Sequence, residues 1–282
     1  MRDATDTDPE SFYDGYGERE WNRLDRDFFH RLEWEGTVEY LDRYLPGDGH
    51  VLDAGGAAGR YTVWLAEQGY DVTLVDLSET QLDIAREQIA DRGLGDRVTV
   101  DRGDVRDLDV GDDAVDATLC LGGPISHVVD ADERATAVGE LRRVTRPGGH
   151  VFVSVMGLLA AVLNTVRATG RVDGAVDDVA ILPELVAEQD YTGDLCARHG
   201  VEPLMADCHF FRAAELESLL RDSGLTVEAL AALEGVGSIR RDGFDSLDDD
   251  RRDVVREVND HLREDRSVVD VSSHMLAVGR VE

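Results

Sequence analysis

The sequence predicts an α/β domain built on a doubly wound, mostly parallel sheet. Three observations carry that prediction. Short apolar runs alternate with helical patterns from about His50 to Val155. The first run, His50-Val-Leu-Asp53, empties into a glycine loop that opens a helix. Ser/Thr, Gly and Pro punctuate the boundaries, as right-handed βαβ units require.

Residues from about Glu10 to Leu45 read as two helices rich in charge and aromatics. Tyr61 to Gln68 is the first helix of the alternating region, stopped by Gly69, and Asp71-Val-Thr-Leu-Val75 is the second strand. Ser78-Glu-Thr-Gln81 fits a capping box opening a helix to about Asp91. Arg97 to Asp101 and Ala114 to Leu121 are the third and fourth strands. Ala131 to Thr145 is helical, Arg146-Pro-Gly-Gly149 is a turn, and His150 to Val155 is the fifth strand. The rhythm breaks from about Gly157 to Cys208, where apolar helical segments such as Leu158 to Val166 alternate with acidic connectors. This stretch is expected to cover the sheet's ligand edge. A helix from Ala213 to Ser223, a strand from Leu225 to Leu233, a helix from about Asp248 to Arg263 and a strand near Ser273 to Arg280 complete the chain. The expected organisation is a helical N-terminal segment over residues 1–45, an α/β core over 46–156, a helical insertion over 157–210 and the rest of the core over 211–282.

Composition sets the surroundings. The chain holds 60 acidic residues against 29 basic ones, all of them Arg, for a formal charge of −31. Such a charge repels itself in dilute buffer, whereas molar salt screens it within roughly 3 Å. The expectation is a halophilic protein that folds in a salt-rich cytoplasm. Met1 to Glu10 is acidic and polar with no signal-peptide core, and no stretch has the apolar length to cross a bilayer. Cys120, Cys196 and Cys208 form no CxxC pair and no Cys/His cluster at zinc spacing, so buried thiols and no metal centre are expected.

In doubly wound sheets ligands sit beyond the carboxyl ends of the strands. The loop Asp53-Ala-Gly-Gly-Ala-Ala-Gly59 lies at such an end. It lacks the Gly-Lys-Ser/Thr ending of a phosphate loop, and its G-G-x-x-G spacing differs from the dinucleotide G-x-G-x-x-G. The Asp53 carboxylate opposes a pyrophosphate but favours a cation. S-adenosylmethionine (SAM) has no phosphate and carries an ammonium and a sulfonium. Asp76, ending the second strand, stands where ribose hydroxyls are held; its plainer reading is a helix-start acid. Asp104, in Gly103-Asp104-Val105, can accept from the adenine amino group, with Val105 against the ring; Gly-Asp is also an ordinary turn.

Together, Asp53 to Gly59, Asp76-Leu77, Gly103-Asp104-Val105, the strand Ala117 to Gly122 and Arg146-Pro-Gly-Gly149 resemble the class I SAM-dependent methyltransferases. The resemblance implies a Rossmann-like seven-stranded sheet with an antiparallel last strand. It implies that Gly55, Gly56 and Gly59 line the methionine part of SAM, that Asp76 with Leu77 holds the ribose, that Asp104 and Val105 hold the adenine, and that Leu121 and Gly122 sit near the methyl group. Family loops commonly carry Gly where this chain has Ala57. Phe12-Tyr-Asp-Gly-Tyr16 with Glu20-Trp21 is similar to the N-terminal lid of small-molecule members and of some wobble-uridine tRNA methyltransferases. Such a lid needs a cation for the methionine carboxylate, and Arg31 is the candidate.

The acceptor is less legible. Gly122-Gly-Pro-Ile-Ser-His127 departs from the Asn/Asp-Pro-Pro-Tyr/Phe motif of enzymes that methylate base amines. His127 reads either as a base or orienting group for the acceptor or as a structural histidine. His209 reads as a pocket residue or as a histidine packed among aromatics; Tyr13, Tyr16 and Trp21 read as pocket walls or core. The leading expectation is methyl transfer to a small molecule, leaving S-adenosyl-L-homocysteine (SAH). tRNA modification and SAM binding without transfer are the alternatives.

Overall fold

The computed structural model describes residues 7–168, 178–240 and 243–282. Its centre is a seven-stranded sheet in the order β3-β2-β1-β4-β5-β9-β8. The strands are β1 (His50–Ala54), β2 (Asp71–Asp76), β3 (Val98–Arg102), β4 (Val115–Cys120), β5 (Thr145–Met156), β8 (Leu225–Ala232) and β9 (His274–Val281). The first five run parallel, and β9 lies antiparallel between β5 and β8. This is the doubly wound sheet with a reversed last strand. Successive residues of each strand face opposite sides. Leu52, Val75, Val151 and Val153 pack into one buried cluster, and Val51, Val72, Leu119 and Phe152 into another on the opposite face. Strand order reverses between β1 and β4, which opens a crevice at their carboxyl ends.

The helices inside this core are α3 (Arg60–Gln68), α4 (Glu79–Asp91) and α5 (Ala131–Val144), with α9 (Ala213–Asp222) beside β8. Gly69 stops α3 in the left-handed conformation at φ 102°, where a side chain would be strained. The capping box is half formed. Ser78 Oγ accepts from the Gln81 amide at 3.2 Å, but the Gln81 side chain turns away to two carbonyls of the N-terminal segment. The expected turn at Arg146–Gly149 is instead a bulge within β5. Val115 pairs with Thr145 and Ala117 with His150, so the extra residues loop out of the ladder.

Two regions lie outside the sheet. At the N-terminus, α1 (Pro9–Tyr16) and α2 (Phe28–Tyr44) form, but the chain between them folds into two short 3-10 turns, Gly17–Arg19 and Arg23–Asp25. The insertion contains α6 (Leu158–Ala168), α7 (Leu182–Glu188), α8 (Gly193–His199) and a small hairpin of β6 (Asp190–Tyr191) with β7 (Cys208–His209). Leu158, Leu185, Tyr191, Cys196, Cys208 and Phe210 give it a core of its own. Near the C-terminus come α10 (Asp249–Leu262) and α11 (Arg266–Val271), the latter not foreseen from the sequence. No described helix is long and apolar enough to cross a membrane.

Candidate active site

A cavity of about 490 Å³ opens at the carboxyl ends of β1 to β4, within the usual size for a small-molecule site of about 300–1,000 Å³. Its floor is Gly55–Ala58 after β1, Asp76–Ser78 after β2, Gly103–Arg106 after β3 and Leu121, Gly122, Pro124, His127 and Val128 after β4. Asp8, Pro9, Glu10 and Tyr13 of the α1 region, with Glu20, Arg23 and Leu24, close the opposite wall.

The glycine loop is shaped by close approach. A Cβ on Gly55, at φ 74°, would come within 2.5 Å of the Pro124 ring, and one on Gly56 within 2.6 Å of the Asp53 carboxyl carbon. Gly59 turns the chain into α3 at φ 77° with Ala85 behind it, and does not line the cavity. Ala57 adopts φ 47°, in the left-handed region that favours glycine. The cost of that conformation is roughly 1 kcal/mol. It is held by the Ala57 amide, which donates to Asp76 Oδ2 at 2.9 Å.

Two carboxylates underlie the loop. Asp53 is fully buried; its Oδ2 accepts from the Thr62 hydroxyl at 2.6 Å, and its Oδ1 has no hydrogen-bond partner among the described residues. Burial pushes its pKa up to about 6, with the charge of Asp76 adding to the effect. Asp76 lines the cavity and accepts from the Ala57 and Ser78 amides, both at 2.9 Å. Burial raises its pKa to about 6 as well, against those two hydrogen bonds. Asp104 is engaged locally. Arg106 donates to it through Nε at 2.9 Å and its own amide at 2.9 Å, and also pairs with Glu133. Burial opposes ionisation of Asp104, but Arg106 holds its pKa below the usual value. Val105 is buried at the cavity wall beside it.

Arg23, not Arg31, is the arginine of the N-terminal segment that lines the cavity. Arg31 pairs with Asp25 at 2.8 Å, is 41 % exposed and does not line the cavity. Arg23 reaches in from the second 3-10 turn, and its Nη2 lies 3.5 Å from a Cβ built on Gly122. It donates to Glu33 at 2.6 and 2.9 Å and through Nε to Glu20 at 3.0 Å, which leaves two of its five N–H donors for a ligand carboxylate. Behind it, Glu33 and Glu234 come within 4.8 Å of His274. His274 Nδ1 lies 2.6 Å from Glu234, and these carboxylates raise its pKa against the effect of burial. Arg23 already occupies both oxygens of Glu33, which disfavours a metal ion there.

His127 faces the α1 region. Its Nδ1 lies 2.9 Å from the Asp207 carbonyl, which can only accept, so Nδ1 carries the hydrogen. Burial lowers its pKa and keeps it neutral. Nε2 is then the acceptor of the Tyr13 hydroxyl at 3.1 Å. Tyr13 is placed by Gln81, whose Nε2 donates to the Tyr13 and Gly17 carbonyls at 2.8 and 3.2 Å. The insertion reaches the site through Asp207, whose amide also donates to the Thr7 carbonyl at 2.8 Å.

Three expected pocket residues lie elsewhere. His209 is buried in the insertion between Asp190 at 2.6 Å and Glu215 at 2.7 Å, and ties the β6–β7 hairpin to α9. Trp21 packs on Ala58, Leu74 and Leu82, with Arg60 and Arg92 over its ring. Tyr16 stacks on Phe12 and under Arg19, outside the cavity. In each case the apolar face meets a neighbour nearer than the cavity.

Five carboxylates and three arginines line the cavity, and each of those arginines, Arg23, Arg60 and Arg106, is paired with an acid. That balance fits a cationic nucleoside without phosphates. Comparison with known proteins agrees. Residues 51–149 match the model of a methyltransferase domain. The methyltransferase GfsG of Streptomyces halstedii is 34 % identical over 120 residues, 42 % of either chain. The malonyl-[acyl-carrier protein] O-methyltransferase of Pectobacterium atrosepticum is 35 % identical over 141 residues, 49 % of this chain and 50 % of that one. The chain thus spans half or less of these relatives' length. A SAM-dependent methyltransferase structure from Methanosarcina mazei shares the fold, with a TM-score of 0.59 at 17 % identity, over 86 % of this chain and 96 % of that one. Residues 51–149 thus match a methyltransferase domain, set in the fold of SAM-dependent methyltransferases.

Proposed function

We propose that the chain transfers a methyl group from SAM to a small-molecule acceptor. The observation that carries this reading is the anionic cavity at the strand ends, where the Gly55–Gly56 backbone and the Asp76 carboxylate meet a wall made by Tyr13 and His127. When bound, SAM supplies an electrophilic methyl group. The chain's own work is to bind, orient and exclude water.

In this reading Asp76, beside Leu77, takes the ribose hydroxyls, worth about 1.5–3 kcal/mol for each hydrogen bond to a charged group. Val105 and Asp104 flank the adenine, with Arg106 sharing the Asp104 carboxylate. Gly55, Gly56 and Gly122 leave room for the methionine part, whose carboxylate goes to the free donors of Arg23. His127 faces the acceptor; its neutral Nε2 can take a proton from a hydroxyl or an ammonium once Tyr13 yields it. The α1 segment serves as the lid, pinned by Gln81 and by the Glu10–Arg102 pair at 2.6 Å. The relative named as a methyltransferase of a carrier-bound acceptor supports this reading at the level of reaction class.

RNA modification is the alternative with less support. Phosphate contacts need available cations, whereas Arg60, Arg102 and Arg106 at the rim each sit on a carboxylate. Two measurements test the proposal. His127→Ala is expected to lower turnover at least tenfold more than it lowers SAM affinity in calorimetry. An equal loss in both would make His127 structural. Methylation of bulk tRNA in place of any small molecule would overturn the acceptor class.

A further inference from the structure

The fold of residues 17–26 has a consequence for cofactor choice. Gly17, at φ 58°, ends α1, and the following turns carry Glu20 back into the cavity. The Glu20 side chain is only 17 % exposed. One oxygen accepts from Arg23 Nε at 3.0 Å. Arg23 spends two other donors on Glu33, so one guanidinium serves two carboxylates and the trio keeps a net negative charge.

Glu20 lines the same cavity as Asp76 after β2, Tyr13 on α1 and His127 after β4. It thus shares that space with the proposed ribose carboxylate and the proposed acceptor wall. In SAM the sulfonium is one carbon removed from the ribose ring and carries the methyl that faces the acceptor. Of its neighbours in the cavity, His127 is uncharged, and Asp76 is shared between two backbone amides and the proposed ribose.

We infer that Glu20 is the counter-charge for the cationic sulfonium end of the cofactor, and so a specificity residue that favours SAM over the spent product SAH. This rests on the SAM-binding reading of the cavity. SAM carries one more positive charge than SAH, and the two are otherwise nearly the same shape. A carboxylate in a cleft shielded from water discriminates between them, whereas hydrogen bonds to ribose and adenine do not. The same device favours product release after each transfer, because the attraction disappears when the sulfur loses its charge.

The test is isothermal titration of SAM, SAH and sinefungin, whose amine places a cation where the sulfonium stands, against the full chain and its Glu20→Gln variant in molar salt. Gln keeps the length and the acceptor for Arg23. The expected result is a loss of about tenfold in affinity for SAM and sinefungin with SAH changed less than twofold, tenfold being one decade of binding constant. Glu20→Asp, which keeps the charge, should retain most of the preference, and circular dichroism establishes that both variants fold. Equal losses for all three ligands, or no loss for SAM, would overturn the inference while leaving the cavity a SAM site. Failure of the unaltered chain to bind either SAM or SAH would overturn the SAM reading itself and this inference with it.

Discussion

Cofactor affinity should depend steeply on pH, through Asp76. Burial has pushed this carboxylate up to about 6. Its two oxygens already face the Ala57 and Ser78 amides, so the ionised form is the one shaped to accept two further hydroxyl donors. Ligand binding favours the ionised form, so affinity rises with pH through the carboxylate's range and is lost as pH falls below it. At about pH 5 a group with a pKa of about 6 is roughly one-tenth ionised. Affinity should therefore drop about tenfold for each pH unit below about 6 and level off above about 7. Asp53, raised to about 6 by burial, adds to the slope in the same direction. The assay is calorimetry with SAH, which lacks the sulfonium charge, across that range in two buffers of different ionisation heat. Binding below about 6 should release protons. Asp76→Asn keeps the shape but presents an N–H₂ to one backbone donor; it should cost tenfold to a hundredfold in affinity at about pH 8, from about 1.5–3 kcal/mol, and should flatten the pH dependence. Affinity that is constant across the range, or an Asn variant with unchanged affinity, would refute the ribose assignment.

Three other outcomes follow from the same structure. Asp53→Asn should stabilise the ligand-free protein by about 1–3 kcal/mol near pH 8, because it removes a buried charge whose Oδ1 has no hydrogen-bond partner among the described residues. The sign follows from its raised pKa: the favourable contribution of protonated Asp53 is present below about pH 4 and is lost as pH rises through about 6, so the gain should vanish in acid; thermal melts at both pH values check it, and a stability loss at pH 8 contradicts it. Ala57→Gly should relieve roughly 1 kcal/mol of left-handed strain and raise the melting temperature by about 2–4 °C; a lower melting temperature would show that the loop is not strained there. For the whole chain, a formal charge of −31 predicts melting temperatures that climb steadily from dilute to molar salt, and full folding in dilute buffer would remove the halophilic reading.

The core of the fold and half of the site were legible because their signals are local. A β-strand ending in Asp53 and a glycine loop, a second ending in Asp76, and Gly103-Asp104-Val105 after a third place their own side chains within a few residues of a strand end. Residues 17–26 were not legible. The helical reading of Glu10 to Leu45 ran through Gly17, and with it the inward turns that carry Glu20, Arg23 and Leu24. Arg31 sits on a regular helix, α2, whereas Arg23 sits on a 3-10 turn that no local pattern marks. The one signal in the sequence is the absence of Lys, which leaves an Arg or backbone amides for the methionine carboxylate. His274 and Glu234 stand more than two hundred residues from Glu33, and only the sheet order brings them together. Arg146–Gly149 has the composition of a turn, but pairing with β4 draws it into a strand as a bulge. By composition the insertion reads as a cover for the site; its described part has a core of its own and meets His127 through the Asp207 backbone carbonyl.

Transfer of the methyl group from SAM is the proposed activity on which every other role depends. Incubating the chain in molar salt with methyl-labelled SAM and a desalted mixture of small metabolites tests it. The expected result is label in a low-molecular-weight product other than SAM, stoichiometric formation of SAH, and loss of both with Asp76→Ala. Tight SAM binding with no label leaving the cofactor, whatever acceptor is supplied, would contradict it.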